Sequence, residues 1–84
     1  MPDHLADPIA TVLDAAASLR PHRAGDLSAD HRLDALGFDS LDRFTLAVTI
    51  QQASGWAVPG LVLAGAATLG DLIDYLTAAV KGMP

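Results

Sequence analysis

Apolar residues recur every three or four positions in three separate stretches, and proline and glycine cut the chain between them. Leu5, Ile9, Val12, Leu13 and Ala16 make the first stretch. The second interleaves two such sets, Leu46, Ile50 and Ala53 with Leu41, Phe44 and Val48, and Leu69, Leu72, Ile73, Leu76 and Val80 make the third. This is the period of an α-helix, about 3.6 residues per turn. A chain of 84 residues is one small domain, near the size at which only about 60% of the unfolded surface is buried, so its core has to be economical. Hydrophobic residues are 51% of the chain, yet Phe38, Phe44, Trp56 and Tyr75 are its only aromatics. The core is therefore built from Leu, Ile, Val and Ala, which suits packed helices. The expectation is an all-α fold: a small four-helix bundle of three longer helices and a short third one, with a long loop between helix I and helix II. One domain covers residues 1–84, with an ordered core of about residues 5–80.

The boundaries follow from local chemistry. Asp7 before Pro8 supplies an N-cap and a first-position proline, so helix I runs from Pro8 to about Leu19. Pro21 and Gly25 stop it. The connection that follows reaches about Phe38, with Leu27, Leu33 and Leu36 pinned to the core and Gly37 as a turn residue. Asp39 caps helix II, which spans Ser40 to about Ser54 and ends at Gly55. Pro59 and Gly60 open a short element that Gly65 weakens. Thr68 with Asp71 has the spacing of a capping box, and helix IV runs on to about Ala79. All ten acids are Asp, a side chain that favours caps and first turns over helix interiors.

Helix II carries two apolar arcs. Leu46, Ile50 and Ala53 fall together and can face the bundle; Leu41, Phe44 and Val48 fall nearly opposite and are left over.

Several chemistries are excluded. With no cysteine, the chain has neither a disulfide framework nor a thiolate metal site, and any thiol it uses must come on a cofactor. The net charge of −5 argues against a nucleic-acid partner. The first ten residues lack the basic end and apolar run of a secretion signal, which makes the cytoplasm the expected location. Trp56 to Ala67 is far shorter than the roughly 20 residues that span a bilayer, so no membrane span is expected. His4, His22 and His31 lie in the first part of the chain at no spacing that suggests a base or a metal site, and are expected to be solvated loop residues. "FDSLD" is not the G-x-S-x-G of a hydrolase elbow. No catalytic residue and no metal ligand is expected.

What remains is Ser40, at the start of helix II. Taken alone it is an ordinary capping-region serine. The flanking pattern changes that. "LGFDSLDRF", then "VP", then "TLGDLIDYL" resembles the acyl carrier protein family, without a gap from about Gly37 to Leu76 and more loosely back to Ile9. The resemblance implies that the Ser40 hydroxyl receives 4'-phosphopantetheine from coenzyme A through a phosphopantetheinyl transferase. It also implies that Asp39 helps present Ser40 to that enzyme and its Mg²⁺. Physical chemistry supports the placement independently, because a phosphodiester on the first turn lies beside free N–H groups and the positive end of the helix dipole. Acyl groups would then ride as thioesters on the arm while the carrier, no enzyme itself, presents them to others. Those partners are an acyl-loading ligase or acyltransferase and downstream synthase or transferase enzymes of a fatty-acid or polyketide-type pathway. A freestanding monomer is the default.

The resemblance further implies that an acyl chain is sheltered between helices II and III and the rest of the bundle, with Leu46, Ile50, Val58, Ala66 and Leu72 as candidate lining or as plain core. The family's partners dock on acidic residues of helices II and III. Here Thr45, Gln51 and Gln52 stand where acids are common, and "GLVLAGAA" replaces an acid-rich helix III. The outward surface left for docking is Leu41, Phe44 and Val48, joined by Leu61 or Val62, unless the long loop covers it. Trp56 is expected to replace an aromatic anchor that the family often has at the position of Ser54. Asp39, rather than His, before Ser40 favours an acyl over an aminoacyl or peptidyl carrier; a carrier-like module that is never modified is the rival from another class.

Overall fold

The computed structural model describes residues 7–23 and 25–82. Four α-helices follow in order: α1 (Pro8–Leu19), α2 (Ser40–Ser54), α3 (Gly60–Gly65) and α4 (Leu69–Lys81), with a short 3-10 turn at Pro21–Arg23. Among the described residues there is no strand, only an isolated antiparallel bridge between Arg32 and Thr68. The expected all-α bundle with its long first loop is what the chain forms.

Three of the four helices begin where their capping chemistry says. The Asp7 carboxylate accepts from the amides of Ile9 and Ala10, and Asp39 accepts from the amide of Asp42. Thr68 and Asp71 make a reciprocal capping box: the Asp71 amide donates to Thr68 Oγ1 while the Thr68 amide donates to Asp71 Oδ2. α2 ends on Gly55 at φ 81°, the left-handed conformation that glycine adopts without a Cβ penalty. The six-residue α3 is different, for it has no side-chain N-cap and no buried residue.

The core is aliphatic, as expected. Val12, Ala15 and Ala16 of α1 meet Leu46 and Ile50 of α2 and Leu69, Leu72, Ile73 and Leu76 of α4. The long loop adds Leu33, Leu36 and Phe38, all buried, and Leu27 packs half-buried against them. It also caps α4: Leu69 N donates to the His31 carbonyl at 3.0 Å, Gly70 N to that of Ala29 at 2.8 Å, and Leu33 N returns a bond to the Ala67 carbonyl at 2.9 Å. Thus the loop supplies acceptors for helix-end amides that have none within the helix.

Four expectations are corrected here. Ile9 is 55% exposed, because it sits in the first turn at one edge of the α1 stripe, while Val12, near the stripe's centre, is fully buried. Ala53 is exposed and Ala47 buried. The α2 stripe is centred on Ile50 and turned away from Ala53. His31 is a loop residue but only partly solvated: its Nδ1 accepts from the Ser28 amide at 3.0 Å and Arg23 Nη2 stands 3.3 Å from its Nε2, so it ties the loop together. Val62 is half-buried against the core and does not join an exposed surface. Leu5 and His4 lie outside the described residues.

Candidate functional site

Ser40 is the first residue of α2 and is exposed. Its surroundings are ordered from both sides. On the upstream side, Gly37 turns the chain at φ 78°, its amide donating to the Asp34 carbonyl at 3.0 Å and that of Phe38 to Leu33 at 3.0 Å. The Phe38 ring is then buried. On the downstream side Asp39 Oδ1 takes the Asp42 amide at 2.8 Å, and the Asp39 carbonyl takes the Arg43 amide at 2.9 Å. The amides of Ser40 and Leu41 have no acceptor among the described residues, and they stand at the positive end of the α2 dipole.

Two arginines that the sequence reading passed over frame this serine. Arg20, at the C-cap of α1, reaches across to donate from Nε to the Leu36 carbonyl at 2.8 Å and from Nη2 to the Gly37 carbonyl and Asp42 Oδ2, each at 2.9 Å. Its Nη1 donates to the Leu19 carbonyl, and its guanidinium lies 4.6 Å from the centre of the Phe38 ring. The side chain retains only 21% of its exposure. Arg43, one turn beyond Ser40, donates from Nη1 to the carbonyls of Leu63 at 3.1 Å and Ala66 at 2.7 Å, which closes the C-terminal end of α3. The signal for Arg43 was in the sequence, since it is three residues before Leu46 and seven before Ile50, a cation on the inward side of a helix. Arg20 carried no such signal, because all its acceptors but the Leu19 carbonyl are 16 to 22 residues away.

Beside Ser40, a groove of about 140 Å³ runs between α2 and α3, lined by Ser40, Arg43, Gly60, Leu63 and Ala64. An exposed hydroxyl, unpaired amides at a helix start and an adjoining groove with one cation fit a covalently attached phosphodiester and the arm that follows it.

A family model described as "Phosphopantetheine attachment site" matches residues 10–76. The chain belongs to this family. It is a carrier protein for covalently attached 4'-phosphopantetheine, and the thiol absent from its own residues comes on that group. No curated protein and no solved structure gives a significant match.

The remaining candidate residues of the carrier divide into two sets. Leu46, Ile50, Ala66 and Leu72 are buried within one cluster, and Val58 packs half-buried against it, as do Trp56 and Tyr75. All five residues named as chain-sheltering candidates are thus brought together around a single core. Leu41, Phe44 and Leu61 are 71%, 61% and 90% exposed, and Val48 is half-buried. The long loop leaves Phe44 largely uncovered. Thr45, Gln51 and Gln52, the uncharged replacements on α2, are exposed too. None of the helices described is long and apolar enough to cross a membrane.

Proposed function

We propose that Ser40 is the attachment residue and that this carrier holds acyl intermediates as thioesters for a fatty-acid or polyketide-type pathway, as a freestanding monomer. The transferase would join the Ser40 oxygen to the β-phosphorus of coenzyme A, releasing 3',5'-ADP and the hydroxyl proton. Ser40 is the residue of the D-S-L signature, and its exposure at the first position of α2 is the observation that carries this reading. The product phosphodiester lies against the unpaired amides of the helix start. Asp39 caps the helix with one carboxylate oxygen and presents the serine to the transferase. The buried cluster of Leu46, Ile50, Ala66 and Leu72, with Val58 at its edge, is the proposed shelter for the acyl chain; small and aliphatic residues there can part without breaking a polar contact.

Partner enzymes must approach the face that bears Ser40. Leu41 and Phe44 flank it on α2 and Leu61 lies on neighbouring α3, so docking rests mainly on apolar contact, with Val48 at its margin. Asp39 preceding the serine favours acyl over aminoacyl cargo.

The test is to incubate the protein with coenzyme A and a broad-specificity transferase and weigh it. The wild type gains the mass of one phosphopantetheine and Ser40→Ala gains nothing. An unchanged wild-type mass, or the same gain on Ser40→Ala, rejects Ser40 as the acceptor. Loading by acyl-specific against aminoacyl-specific ligases separates the two kinds of cargo.

A further inference from the structure

We propose that Arg20 is a positioning residue for the loading of Ser40: from the end of α1 it holds the segment before the serine in the single conformation that the transferase engages. The proposal rests on Ser40 being the acceptor. In residues 36–39 the side chains of Leu36 and Phe38 and the turn amides are anchored, but the carbonyls of Leu36 and Gly37, which set how the chain enters α2, have Arg20 as their donor. These residues lie between a turn and a helix start, Gly37 is the most conformationally free residue type there, and Asp39 and Ser40 are exposed. The guanidinium that gathers the two carbonyls also takes Asp42 Oδ2 and stacks over Phe38.

One planar, permanently charged fork therefore joins three consecutive residues before the serine to the first turn after it. Lysine cannot replace it, because an ammonium is a point donor that does not span acceptors on both sides of the loop. The same contact neutralises Asp42, leaving Asp39, with one carboxylate oxygen engaged by the Asp42 amide, as the unpaired acid next to Ser40 among the described residues. A transferase that must align a hydroxyl with a phosphorus atom gains from such a fixed approach. A loop that samples other conformations presents the competent one only part of the time and raises the apparent dissociation constant accordingly.

The decisive experiment compares wild type, Arg20→Gln and Arg20→Lys as apo proteins in two measurements. The first is the transferase KM and kcat for each carrier. The second is amide hydrogen exchange at Gly37, Phe38 and Asp42, with α1 and α4 as internal references. Arg20→Gln is expected to raise KM about tenfold, since bonds to a charged donor are lost, and to leave kcat within about twofold. Exchange at the three amides speeds up while α4 keeps its protection. Arg20→Lys falls between, and if Arg20→Gln does not fold, Arg20→Lys carries the comparison alone. An unchanged KM in a folded variant overturns the proposal, and so does exchange that quickens equally in α1, α4 and the loop. Failure of the acceptor reading looks different, for then the wild type gains no mass or Ser40→Ala gains as much.

Discussion

At the scale of single residues, this site depends on backbone conformation as much as on side-chain chemistry. Gly37 holds φ 78°, and a Cβ there would meet only Arg20 Nη2 at 3.7 Å, an ordinary contact. Any cost of Gly37→Ala is therefore conformational, about 1–2 kcal/mol for placing an L-residue in the left-handed region. Urea titration should show that loss, and phosphopantetheine transfer should slow with it, because the displaced segment leads directly into Asp39 and Ser40. A variant with unaltered stability would show that the turn relaxes at no cost. Phe38 and Phe44 make the complementary point. Both are aromatic and six residues apart, yet one is buried under Arg20 and the other is 61% exposed beside the serine.

At the scale of elements, α3 and α4 are secured in opposite ways. α4 has its own capping box and the loop's carbonyls. The Asp71 carboxyl is held below its ordinary value of 3.8 by the Ala67 amide first and then the Thr68 amide. A depressed folded-state value means that this contribution is complete above the unfolded value and is lost as pH falls through the folded one. Acid unfolding should therefore be shallower in Asp71→Asn than in wild type below about pH 4, read by helical circular dichroism; superimposable curves would remove the capping box from the acid response. Thr68→Val, which deletes the other half of the box, should cost about 1 kcal/mol at neutral pH. α3 has neither device, and Arg43 supplies its C-terminal acceptors with a donor from outside. Arg43→Met, which keeps most of the apolar stem, should loosen α3 by about 1–3 kcal/mol. Amide exchange at Leu63 should then accelerate without change in α4, and the groove beside Ser40 should widen.

At the scale of the whole molecule, a small aliphatic core supports a surface on which Leu41, Phe44 and Leu61 are exposed near Ser40. Leu33 is in a loop and fully buried, whereas Phe44 is in a helix and mostly exposed. The two substitutions should therefore separate stability from docking. Leu33→Ala is expected to cost about 2–5 kcal/mol and to lower the thermal midpoint by about 10 °C or more, a large share of what so small a domain has. Phe44→Ala should change stability by no more than about 0.5 kcal/mol, yet weaken binding to a cognate enzyme by about tenfold. That binding should hardly respond to salt between about 0.05 and 0.5 M if apolar contact dominates; a steep loss of affinity would assign docking to charge instead.

How much of this was legible beforehand depends on the range over which each interaction acts. Caps, breakers and helical periods operate within four residues, so Pro8–Leu19, Ser40–Ser54, the Thr68–Asp71 box and the turn at Gly37 could be read directly. The D-S-L signature, being contiguous, gave the candidate serine and the family resemblance. Facing is less local: Ile9, Ala53 and Val62 satisfy a helical period, but which edge of a stripe is buried depends on where neighbouring helices cross. The arginines lay furthest from view, since a guanidinium reaches several ångströms and chooses carbonyls brought near only by folding.

The chain's order of residues alone determined that four helices form, where they begin, and that a serine stands at the head of the second, because those outcomes are set by backbone sterics and short-range hydrogen bonds. Tertiary structure alone decided that Arg20 and Arg43 hold the two flanks of that serine and that Phe44 faces water while Phe38 does not. Contacts across 16 to 23 residues exist only once the aliphatic core has fixed the distances between helices.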